Sequence, residues 1–331
     1  SMPALWNLIK KSKVVITIII ILIIGYLIYF YVYFAKITDN AYVVANTRSV
    51  AAEVPGIIDQ VNVRNGEFVK KGALLFSLRS NLYQYRYEEA QAALNAAKAQ
   101  LSETKQKIAI LINDVNTSEK SLALAKERYE GDKTLYEQNL SAKLVYHESR
   151  NQYYKAQNAL DNAKEQLTAA NIAKARSEFQ LDEASAAVKV AKHNLHATKV
   201  YAASNGVVNN LFLSPGSPVK AYEPLFAFVD TSTWWVQANF KETNLSGVHV
   251  GQKATIRLRM YLGEKVYHGV VVSTNWAVGR NETNPNNNLQ SVPSENQWLL
   301  LPQRFPVLIR INNIDPHYPL HMGASAYVSL D

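Results

Sequence analysis

Cysteine is missing from all 331 residues. Disulfides, thiolate metal sites and thiol nucleophiles are therefore excluded, and the absence suits an oxidising compartment without requiring one. Methionine occurs only at positions 2, 260 and 322, too scattered for a soft-metal cluster. The seven histidines are dispersed. His193 and His196 share a helical face, but a metal needs more ligands than that pair, so no metal site is assigned. No glycine-rich phosphate loop, nucleophile elbow or paired-acid motif stands in a fitting context. No catalytic residue and no cofactor is expected. The net charge of +8 comes from 35 scattered basic residues, with no run denser than Lys10-Lys11-Ser12-Lys13. A nucleic-acid partner calls for a clustered basic face, and none is assigned.

Acidic residues are absent from the first 35 positions, and residues 14–34, "VVITIIIILIIGYLIYFYVYF", carry no charge at all. As a helix they span roughly 30 Å, the thickness of a bilayer's hydrocarbon core. Lys10, Lys11 and Lys13 precede the run, so the positive-inside rule places residues 1–13 in the cytoplasm. Tyr29, Tyr31 and Tyr33 sit where an interfacial aromatic belt belongs. A cleaved signal peptide is the rival, but the run is too long and no small-x-small site follows it. The expectation is an uncleaved single-pass anchor, with the bulk of the chain on the far side.

What is present includes a repeat. "VPGIIDQVNVRNGEFVKKGALLFSL" from Val54 is written again in "SNGVVNNLFLSPGSPVKAYEPLFAFVD" from Ser204. Gly56 answers to Gly206, Gly66 to Gly216, Val69 to Val219, Leu75 to Leu225 and Phe76 to Phe226, always 150 positions apart. Both copies alternate like short strands, and their glycines are assigned as turn residues, with Asn65-Gly66 and Pro215-Gly216 the plainest signals.

Between the copies, residues 81–199 hold no proline and one glycine, Gly131, and are rich in Ala, Lys, Glu and Gln, a composition that favours helix. Tyr87, Leu94, Leu101, Ile108, Val115, Leu122, Tyr129 and Tyr136 fall seven apart, with mostly small residues three positions on. After a break the pattern returns as Tyr146, Tyr153, Leu160, Leu167, Lys174, Leu181, Val188 and Leu195. Sustained heptads read as coiled coil. Level partners in the two series, such as Leu122 and Leu160, have numbers that sum to 282. This predicts an antiparallel hairpin of equal arms, each roughly 85 Å long, with its tip at residues 138–142. There Asn139 suits a left-handed helix end and Ser141 a helix N-cap. A hairpin returns the chain to its departure point, so residues 48–80 and 200–230 can close into one β-domain.

The paired halves resemble the biotinyl/lipoyl fold. In carriers of that fold a modified lysine occupies the turn where this chain has its hairpin, and no carrier role is implied. Anchor, half motif, hairpin, second half and a following β-rich region resemble the HlyD-type membrane fusion proteins, or periplasmic adaptors. "TDNAYV" (38–43), "WVQANFKETNLSGVHVGQKATI" (235–256) and "QRFPVLIRI" (303–311) are similar to the EmrA/AaeA-like branch, notably Phe240, Lys241, Glu242 and Thr243. The fold class expected is elongated α+β. It comprises a transmembrane helix (14–34), a linker or barrel strand (35–47), the split lipoyl-like domain, the coiled-coil hairpin and a small β-barrel (231–331). Proline at 302 and 306 suggests an edge strand, a short helix is expected around 243–248, and "NETNPNNN" (281–288) reads as a loop.

The resemblance implies a non-enzymatic adaptor in the bacterial inner membrane, exporting drugs or aromatic and hydrophobic small molecules. It would link an inner-membrane transporter, major-facilitator or AaeB-like, to an outer-membrane TolC-like channel as a trimer or hexamer, with Asn139, Leu140 and Ser141 at the docking tip. The tip departs from the docking pattern of channel-bound adaptors. Leu135 and Ser141 are present, but Glu130, Thr134 and Tyr146 stand where Arg, Leu and an acid belong. The alternative from another class is a membrane-anchored envelope scaffold or stress sensor.

Overall fold

The computed structural model describes residues 2–275, 277–278 and 302–331, with side chains from residue 13 onward; the expected loop at 281–288 lies outside these. Helix α1 (Met2–Phe34) leads directly into strand β1 (Ile37–Val50). Its stretch Lys13–Phe34 is long and apolar enough to cross a membrane, and none of its most apolar window is buried against the rest of the protein.

Strands β2 (Gly56–Val61), β3 (Phe68–Val69) and β4 (Leu74–Leu78) form the first half of the lipoyl-like domain. After the helical insert, β5 (Lys199–Tyr201), β6 (Gly206–Asn209), β7 (Pro218–Val219) and the start of β8 (Phe226–Lys241) form the second. The halves exchange strands by an internal two-fold: β2 pairs with β7 through Gly56 and Val219, and β3 with β6 through Val69 and Gly206. The loop hydrogen bonds repeat at the same 150-residue offset. Gly66 N donates to Val208 O and Gly216 N to Ile58 O, while Gly72 N donates to Ala202 O and Tyr222 N to Ala52 O. Phe76 and Phe226 meet edge to face at 6.1 Å in the shared core.

The four repeat glycines divide into two kinds. Gly66 and Gly216 occupy tight turns with φ of 79° and 89°, a region glycine enters without steric cost. Gly56 and Gly206 are not turn residues, contrary to expectation; each opens a strand, β2 or β6. Gly206 is constrained by close approach, since a Cβ there collides with Val229 O and the Phe228 ring.

Helices α2 (Asn81–Glu137) and α3 (Lys143–His196) form the hairpin. Fifty-seven residues in α2 give about 85 Å of reach. The half-buried and buried positions fall almost entirely on the two heptad columns, and the remaining faces are exposed. The register matches the expected sum. Tyr136 stacks on Tyr146 at 5.1 Å, Tyr129 on Tyr153 at 5.3 Å, and Val115, Leu122, Leu160 and Leu167 share one cluster. Thr104 and Ser177 hydroxyls lie 3.4 Å apart in the small column. Lys174, the charge in the large column, turns its ammonium to Glu178 at 3.7 Å.

The second domain is a closed six-stranded barrel. Strands β9 (Lys253–Leu258), β10 (Tyr267–Thr274), β11 (Arg304–Ile311) and β12 (Ser325–Leu330) join β1 and β8 in the order β1-β12-β9-β10-β11-β8, and β8 closes on β1. Val43, Val236, Phe240, Ile256, Tyr267 and Ile309 fill it. Burial pushes the Tyr267 phenol up to about 12, and its hydroxyl donates to Tyr318 O. β11 is an interior strand, not the edge that its prolines suggest. Pro306 lies opposite Asn239 one residue before β10 pairing begins at Val307, so its missing N–H falls at the end of that ladder. The helix expected around 243–248 is a single 3₁₀ turn at Glu242–Asn244.

Both β1 and β8 run through the barrel and the lipoyl-like domain. Ala45 pairs with Trp234 but Thr47 with Val229, so four residues of β8, 230–233, bulge out between the domains. Ser232 fastens the bulge by donating its hydroxyl and its N–H to the Asp230 carboxylate. Those bonds hold that carboxyl below its ordinary value.

The glycine geometry makes a test. Gly206→Ala is expected to destabilise the β-domain by about 3 kcal/mol, the upper range for overpacking. At its repeat mate the nearest atom to a new Cβ is flexible, Leu78 Cδ1 at 3.3 Å, so Gly56→Ala should cost less than about 1 kcal/mol. Equal losses in chemical denaturation would contradict the assignment.

Candidate functional site

Two regions gather the residues singled out in the sequence. The first is the barrel rim where α1 ends. Phe240 is buried in the barrel core, which fixes the end of β8. Lys241, Glu242 and Thr243 follow as exposed residues of the rim, and Glu242 N donates to Gln303 O. The next residue, Asn244, is buried and donates its amide to Ala35 O at 3.0 Å. That bond ties the rim to the end of α1. Asn244 was not singled out, because a lone Asn after Thr243 carries no periodic signal.

The three motif stretches meet here in one polar network. Thr38 Oγ1 donates to Asn239 O at 2.8 Å, and Arg304 Nη1 donates to the same carbonyl at 3.2 Å. Asn239 Nδ2 donates to Asn40 Oδ1 at 2.9 Å, and Asn239 Oδ1 accepts from Gln237 Nε2 at 3.3 Å. Thr38, Gln237 and Asn239 are buried, so each bond offsets a desolvation cost. Among the described residues no three His, Asp or Glu side chains are grouped to hold a metal. At the hairpin root His193 Nε2 lies 3.2 Å from Glu53 Oε2, both largely exposed.

The second region is the hairpin tip. Asn139 takes φ 59°; Leu140 N donates to Leu135 O and Asn139 N to Tyr136 O. This pair of bonds is the Schellman closure, which caps the last carbonyls of α2. The start of α3 differs from expectation. Its N-cap is Ala142, with no side-chain cap bond, and Ser141 lies one residue before it. Leu140 and Leu144 remain 71% and 78% exposed, more than any seam residue allows. The tip therefore presents two leucines to solvent beside the exposed Gln138, Asn139 and Lys143.

Residues 233–331 match the AAEA-like beta-barrel domain, and residues 113–169 the CzcB-like, alpha-helical hairpin domain. Multidrug resistance protein MdtN of Escherichia coli (strain K12) is 32% identical over 310 residues, covering 90% of this chain and 89% of its own length. The chain belongs to the EmrA/MdtN-like membrane fusion proteins. Multidrug export protein EmrA of Escherichia coli (strain K12) is 29% identical over 302 residues, or 89% of this chain and 76% of that one. The crystal structure of MacA from Actinobacillus actinomycetemcomitans aligns with a TM-score of 0.56 at 20% identity, over 90% of this chain and 79% of that one. That likeness shows a shared fold. In this membrane fusion protein the three motif stretches thus bind barrel strands β1, β8 and β11 together at the rim, and Asn244 ties that rim to the end of α1.

The network is testable by a double-mutant cycle. Asn239→Ala should destabilise by about 2 kcal/mol, because it removes the buried side-chain bonds to Asn40 and Gln237 while its carbonyl keeps Thr38 and Arg304. Asn40→Ala should add little in that background, since the two amides act on each other. Fully additive losses would show that they are independent.

Proposed function

We propose that this membrane fusion protein is the periplasmic adaptor of a tripartite export system. In this reading α1 holds it in the inner membrane with residues 1–13 cytoplasmic and the β-domains and hairpin in the periplasm. The barrel rim stands beside an inner-membrane transporter of the major-facilitator or AaeB-like kind. The hairpin reaches an outer-membrane TolC-like channel, and three or six copies build the wall between them. The cargo is a drug or another aromatic or hydrophobic small molecule; the relatives MdtN and EmrA carry multidrug resistance and export in their names.

One observation carries the reading. The hairpin buries a single seam and leaves its other faces in solvent, so its length serves reach rather than a core. A bundle helix of the same composition would bury a wider stripe. The mechanism is geometric. The anchor sets the height of the rim, two through-running strands transmit that height to the lipoyl-like domain, and the coiled coil transmits it to the tip. No step needs a catalytic group; the transporter supplies the energy.

The tip is the decisive contact in this account. Leu140→Glu with Ser141→Arg should abolish cargo efflux from cells, with membrane level and melting temperature unchanged. Asn139→Gly, which preserves the left-handed turn, should retain export. Efflux that survives the double substitution would mean that docking uses another surface.

A further inference from the structure

Midway along the hairpin the two flanks differ in a way that neither the seam nor the tip explains. One side carries an open groove of about 430 Å³ between α2 and α3. Thr104, Leu111 and Ala170 line its floor, Glu103 stands on the α2 wall, and Ala169 and Ala173 form the α3 wall. These alanines are too short to close it. On the back of α3, Ile172 and Phe179 lie seven residues apart on one line and are 60% and 73% exposed. Their helical neighbours are small or polar: Thr168, Ala169, Ala175, Arg176, Asp182 and Glu183. A ridge of two large apolar knobs and a groove with an apolar floor thus occupy different faces of the same segment.

We infer that each hairpin seats the Ile172–Phe179 ridge of a second copy of this chain in the groove between its α2 and α3. Height selects that partner. By the antiparallel register, Ile172 is level with Ile110 and Phe179 with Glu103, and the groove's α2 lining runs from Gln100 to Leu111. Because α1 passes into β1 within three residues, copies anchored in one membrane present every residue at a common height. Ridge and groove then meet without any sliding. Charge does not oppose the match: Arg176 lies beside the ridge between its two knobs, and the groove wall carries one charge of each sign, Glu103 and Lys107. The faces are different patches, so the contact is heterologous: each copy gives a ridge to one neighbour and a groove to the other, the arrangement that closes rings.

The inference rests on the adaptor reading, in which several copies stand side by side. The chain's lack of cysteine permits a direct test on the full chain in membranes. Lys107→Cys and Ile172→Cys chains, co-expressed, should form an interchain disulfide that neither forms alone. Adding Phe179→Asp to the Ile172→Cys chain should abolish the bridge, while its melting temperature is kept because the residue is exposed. Self-bridging of the Ile172→Cys chain alone would overturn the inference. So would absence of the mixed bridge in copies that assemble and still export, an outcome that leaves the adaptor reading intact. A chain that neither assembles nor exports would overturn both.

Discussion

Everything in this molecule depends on two half-domains meeting across a long insertion. Gly66 reaches Val208 and Gly216 reaches Ile58 only if the chain that leaves β4 returns to β5 in the right place. A flexible insert of more than a hundred residues would add roughly 4 kcal/mol of closure entropy to the β-domain. The antiparallel coil removes that term by folding into two arms of matched length. The hairpin therefore contributes to the stability of the domain it interrupts, as well as providing reach.

The two β-domains are joined through shared strands. β1 and β8 belong to both β-domains, so the barrel and the lipoyl-like domain cannot hinge freely as beads on a linker do. The β1–β8 ladder breaks between the domains at the four-residue bulge 230–233, which Ser232 fastens to Asp230. At the end of α1 Asn244 holds Ala35, and at the hairpin root Tyr83 donates to Pro55 O at 2.6 Å. A chain built this way transmits position along its length.

Patterns that repeat were legible in the sequence. The 150-residue offset foretold the paired halves, and the heptads foretold both the coil and its register. Features that depend on a single neighbour were not. Gly206 looks like a turn residue until Phe228 and Val229 are seen pressed against it. Pro306 looks like an edge marker, although it sits inside a barrel where one ladder runs out. Tyr222 adopts φ 60° where its repeat mate Gly72 has 85°; the loop bond to Ala52 O imposes the turn, and no residue preference announces it. At the tip Asn139 was readable from its left-handed preference, whereas the N-cap fell to Ala142 because the connection is too short to place Ser141 there. The rim network was not legible because Thr38 and Asn40 lie 199 to 266 residues from the partners they meet on β8 and β11.

The equal-arm requirement can be tested by shortening the coil. Residues 101–107 and 175–181 are level heptads on the two arms. Removing both should leave the β-domain's melting transition in place on a shorter hairpin, whereas removing either alone should abolish it, since the halves would then arrive one heptad out of step. A β-domain that melts normally after a one-arm deletion would contradict the account.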